Sequence, residues 1–127
     1  MTFDEYVAGA RDCVEQAQYL TETGRRRLAS EALWLAVKYA INALALATDQ
    51  ESGKYQHKRA VVSWLATEIG EPELVEALRT AMQIHADADK GFMEESDLLQ
   101  YQVQTGYFVD LLLQVATRLN NTPRQTN

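Results

Sequence analysis

At 127 residues, with 46% hydrophobic and 24% charged residues, the chain is one globular domain large enough to bury a core. A formal charge of −6 and a pI near 4.8 argue against broad electrostatic binding to nucleic acid, while leaving room for a small basic site. The single cysteine, Cys13, rules out an intramolecular disulfide and a cysteine-based zinc site, and fits a reducing cytoplasm.

The opening, MTFDEY, is acidic and has no charged-then-apolar leader, so neither a secretory signal nor a lipid anchor is expected. Helix one is predicted from Thr2 to about Thr21. Thr2 and Glu5 have the spacing of a capping box. Phe3, Tyr6, Ala10, Cys13, Ala17 and Leu20 recur at alternating threes and fours, with Val7 and Val14 beside them, which makes one apolar stripe. Cys13 lies in that stripe, as a structural cysteine would. Gly24 closes the connection.

Arg25, Arg26 and Arg27 open helix two. Three cations at a helix N-terminus oppose its dipole. They are either solvated and paired with Glu22 and Glu31, or they contact an anion such as an RNA phosphate. The stretch Leu28 to Ala47 follows, and sixteen of its twenty residues are apolar. Ala and Leu, good helix formers, dominate it, and Pro and Gly are absent. As a helix it would be about 30 Å long, enough to cross a membrane. Its polar residues decide otherwise. Glu31, Lys38 and Asn42 form one narrow line with Arg27 and Asp49, as on the central rod of a bundle, and Lys38 in mid-helix would be costly in lipid. No membrane association is expected. Trp34 and Leu35 border the polar line, so they are the candidate interface of a homodimer.

Asp49 to Gln56 reads as a loop. Helix three is expected from His57 to Ile69, with Val61, Val62, Trp64 and Leu65 in its apolar set and His57 at the surface. Gly70 and Pro72 break the chain. Helix four runs from about Pro72 to Asp89, with Leu74, Leu78, Met82 and His85 on one face. Lys90-Gly91 ends it, and Phe92 and Met93 are expected to fold back onto the core. Ser96 or Asp97 caps helix five, which reaches about Asn120 with Tyr101, Phe108, Leu112, Val115 and Leu119 as its stripe and Tyr107 adjacent. Residues 1–120 form the domain, and 121–127, polar and broken by Pro123, form a disordered tail. Short links between the helices imply an antiparallel bundle of four to five helices.

Most chemical signatures are absent: there is no phosphate-binding glycine loop, no HExxH, no GxSxG, no EF-hand loop, and no paired Glu-x-x-His. No metal or cofactor is expected. One constellation remains: Arg79 and His85, Arg-x5-His on helix four. With it the chain resembles the HEPN superfamily of helical bundles, many of which carry Arg-x(4–6)-His on the corresponding helix. It is most similar to the archaeal PaREP-type branch, whose long helix tends to begin Ser-Glu-x-Leu-Trp, as Ser30 to Trp34 do here, with an aromatic such as Phe92 soon after the histidine. The resemblance spans Phe3 to Leu119. It implies a dimeric HEPN-like module that binds a partner protein, nucleotide or RNA. Where such domains are ribonucleases they need no metal: the arginine and histidine activate a ribose hydroxyl and stabilise the phosphate. Thr80 departs from the Asn, Asp or His that follows the arginine in active members, which favours the binding module. The bland alternative makes His85 a core residue hydrogen-bonded to Asp89, and Arg79 a surface residue paired with Glu76 or Asp87. A third reading is a purely structural interaction bundle.

Overall fold

The computed structural model describes residues 1–122. Among them there are five helices and no strand: α1 (Phe3–Glu22), α2 (Arg26–Ala47), α3 (Tyr55–Ile69), α4 (Glu73–Lys90) and α5 (Glu95–Asn121). The expected all-α architecture is present, with five helices. Asn121 still belongs to α5, so that helix runs one residue past the expected boundary; residues 123–127 of the expected tail lie outside the described residues.

α2 is the axis, and it touches each of the other four helices. Ala36, Val37, Ala40, Ile41, Ala43 and Leu44 are all fully buried along it. Alanine at so many positions lets neighbouring helices approach closely. The polar line does face outward at Glu31 and Asp49, and no helix among the described residues is long and apolar enough to cross a membrane. α1 packs on α2 through Ala10 and Ala17, with Tyr6, Val7, Cys13 and Val14 partly buried beside them. The close approach has a specific cause at Gly9, where a Cβ would come within 3.0 Å of the Tyr39 ring. The capping box forms as the spacing requires: the Glu5 N–H donates to Thr2 Oγ1 at 3.1 Å, and the Thr2 N–H donates to Glu5 Oε1 at 3.0 Å.

The antiparallel arrangement holds only in part. α4 runs against α2, since His85 meets Glu31 and Gly91 lies beside Arg27. α5 begins beside the start of α2, where Glu95 pairs with Arg26 and Gln102 with Ser30, so these two helices begin at the same end of the molecule. Helix two and helix four therefore start at opposite ends.

Local differences have local causes. α3 starts at Tyr55, two residues before the expected His57, because His57 serves as its cap: His57 Nδ1 accepts the Lys54 N–H at 3.3 Å. On α4, Ala81 and Ile84 are fully buried in place of Met82 and His85, since the apolar stripe turns slightly around the helix. Met93 packs inward but Phe92 is 59% exposed. On α5, Tyr107 is 73% exposed, while Gln102 and Thr105 are buried. Thr105 Oγ1 donates to the Tyr101 carbonyl, and the Gln102 amide N–H groups are taken up by α2, Nε2 donating to the Arg26 carbonyl at 2.7 Å and to Ser30 Oγ at 2.9 Å. Gly70 and Gly91 end α3 and α4 in the left-handed conformation, at φ of 68° and 65°.

Candidate functional site

Arg79 and His85 sit on different sides of α4, as their spacing of six requires. Arg79 is exposed, and its Nη1 pairs with Glu76 Oε1 at 2.7 Å, one turn back. His85 is half-buried and turns toward α2. Its ring stacks on Trp34, with centroids 5.3 Å apart, and its Nε2 lies 3.3 Å from Glu31 Oε2. Glu31, on the neighbouring helix, takes the place expected for Asp89. Among the described residues no hydrogen bond or ion pair joins Arg79 to His85. Trp34 and Leu35 are both half-buried, and Trp34 packs on the core as well as on His85.

The three arginines have a different setting. The start of α2, the end of α4 and the start of α5 converge there around a cleft of about 420 Å³. Arg25, the N-cap residue, offers no side-chain cap. Arg26 Nη1 pairs with Glu95 Oε1 at 2.6 Å, not with Glu22 or Glu31. The Arg27 guanidinium lies against Gly91, where a Cβ would come within 2.4 Å of its Nη2.

The arginines and Asp87 are each unfavourable on their own helix and favourable for the next one. Cations at the start of α2 oppose that helix dipole, and Asp87 in the last turn of α4 opposes its own. Because α4 ends beside the start of α2, Arg27 covers the carbonyl end of α4 and Asp87 faces the N–H end of α2. Asp87 is the residue that sequence reasoning treated only as a surface partner. It is 1% exposed, and its Oδ1 accepts the Met93 N–H at 2.6 Å across the α4–α5 link. The signal for it is an acidic residue on the inner side of α4, three positions after Ile84. Its Oδ2 is buried with no partner among the described residues, and so is Arg26 Nε. The residues lining this cleft thus include one with a buried acceptor that lacks a donor and one with a buried donor that lacks an acceptor. Leaving such groups unmatched is costly.

Among the described residues no group of His, Cys, Asp or Glu is placed to hold a metal ion.

The family model described as the archaeal PaREP1/PaREP8 family matches residues 5–112. No curated protein and no solved structure matches the chain.

Proposed function

The chain belongs to the archaeal PaREP1/PaREP8 family, and from that we propose that it is a HEPN-type dimeric binding module whose ligand is a nucleotide unit, free or within RNA. The observation that carries this reading is the pair of unmatched groups, Asp87 Oδ2 and Arg26 Nε, in a cleft lined by Arg25, Arg26 and Arg27. A phosphate suits arginine forks and the first N–H groups of α2. The base or ribose supplies the N–H or O–H donor that Asp87 lacks. A volume near 420 Å³ is in the range of small-ligand sites. Binding takes precedence over ribonuclease action in this reading because Arg79 pairs with Glu76 on one side of α4 while His85 meets Glu31 on another. Trp34 and Leu35 remain the proposed dimer surface.

The test is titration of the full chain with AMP, GMP, tripolyphosphate and a 12-nucleotide single-stranded RNA. The nucleotides should bind, and Arg25→Ala with Arg27→Ala together should weaken them at least tenfold. Asp87→Asn should weaken the nucleotides more than tripolyphosphate. RNA affinity should fall as salt rises, with a slope of about −2 for three phosphate contacts. Equal binding by wild type and the double variant would refute the cleft. Cleavage of the RNA in EDTA that is lost in Arg79→Ala and His85→Ala would replace binding with catalysis. Sedimentation at micromolar concentration should give twice 14.3 kDa.

A further inference from the structure

A second concave surface lies between α1 and α5, with the early part of α2 beneath it, and holds about 490 Å³. Its floor is apolar and closed: Ala17 and Leu33 are each 4% exposed. Its wall on α5 is apolar and open. Leu99, Val103 and Tyr107 stand in one line at spacings of four, exposed by 39%, 51% and 73%. An aligned row of large apolar side chains beside an apolar trough is unlike the scattered apolar residues of an ordinary surface. Gly106 faces open space in the trough, where a Cβ would meet nothing within 4 Å.

The polar groups of this groove name its occupant. Glu22 and Asp110 are its charged lining residues, and neither lysine nor arginine lines it. Gln102, 5% exposed, gives it a buried carbonyl, Oε1, that has no donor among the described residues. A second copy of this chain, with net charge −6, would bring its own carboxylates against these. From Leu99 to Asp110 the groove follows α5 for about three turns, or roughly 16 Å. That is the seat of a short helix with apolar residues at i, i+4 and i+7, bordered by cations.

We infer that the α1–α5 groove docks an amphipathic helix of a partner protein, whose apolar face covers Val103 and Tyr107 and whose basic flanks meet Glu22 and Asp110. Complementary charge selects this partner over a second copy, because like charges placed opposite one another oppose association. The groove shares no lining residue with the arginine cleft, although Gln102 donates to the Arg26 carbonyl, and the proposal does not depend on the nucleotide reading.

The experiment uses the full chain and two fluorescein-labelled 16-residue peptides. Both have leucine at i, i+4, i+7 and i+11; one is flanked by lysine and arginine, the other by glutamate at the same positions. Anisotropy should show saturable micromolar binding of the basic peptide, at least tenfold tighter than the acidic one and weakened by salt. Val103→Lys and Tyr107→Ser should each reduce it at least tenfold. Both positions are exposed, and helicity by circular dichroism confirms that the variants remain folded. Arg25→Ala should leave peptide binding unchanged. No saturable binding, or equal binding of the two peptides, overturns the proposal. So does a dimer that Val103→Lys converts to monomer, which would give the groove to a second copy.

Discussion

Trp34 and His85 stack across the α2–α4 contact, with ring centroids 5.3 Å apart and planes 24° from parallel. The pair ties together the two features that set this chain apart, the aromatic of the long helix and the histidine of the Arg-x5-His spacing. It also holds His85 within 3.3 Å of Glu31, on the side of α4 away from Arg79. His85→Ala should therefore act on packing. In a Trp64→Phe background it should shift Trp34 emission to the red and cost about 0.5–1.5 kcal/mol, as loss of an aromatic pair does. Arg79→Ala should leave the emission unchanged. An unshifted spectrum in His85→Ala would mean that the rings do not stack in solution.

Leu44 is fully buried at the centre of α2. Leu44→Ala should cost about 2–5 kcal/mol, the sum of lost transfer energy and a cavity. Leu28→Ala, on the same helix at a position 55% exposed, should stay within about 0.5 kcal/mol. Urea midpoints check both, and similar losses at the two positions would contradict the burial pattern.

Lys58 is buried on α3, and its ammonium donates to the Ser52 carbonyl. Burial, and secondarily the charge of Lys38, push its pKa below the ordinary lysine value of 10.5. The unfolded chain therefore holds this proton more tightly than the folded one. The penalty for burying the charge is full at neutral pH and is relieved as pH rises through the folded value toward 10.5. Wild type should gain stability relative to Lys58→Met over that alkaline range. A gap between the two that is flat with pH would show that Lys58 titrates alike in both states.

The Cys13 thiol is pushed above its ordinary value by burial first and by the neighbouring Asp12 charge second. Thiolate is the reactive form, so Cys13 should react with a disulfide reagent at pH 7.5 more slowly than free cysteine. Urea should abolish the difference. Fast reaction in the native protein would mean that α1 frays from α2.

The helices were legible because the signals that make them are local. A stripe at threes and fours marks α1, the capping box marks its start, and Gly24, Gly70 and Gly91 mark stops. The pairings at the arginine cleft were not legible for the opposite reason. Arg26 and Glu95, or Ser30 and Gln102, lie about seventy residues apart and meet only because α5 starts at the same end as α2. Helical periodicity says which face of a helix is apolar; it carries nothing about which neighbour covers that face or in which direction the neighbour runs. The exposed Tyr107 was misplaced by the same limit. The stripe on α5 is wide enough to serve two surfaces, and only packing decides which side faces α2.

Because α2 touches every other helix, its central amides cannot meet solvent by the peeling away of any one neighbour. Hydrogen exchange at Ala36 to Leu44 then requires dismantling of the whole molecule, and its rate measures the free energy of global unfolding. α3 has its main neighbours in α4 and α2 alone, so its amides can exchange through smaller openings. The order of exchange makes α2 the slowest clock of the molecule, against which the mobility of its other parts can be timed.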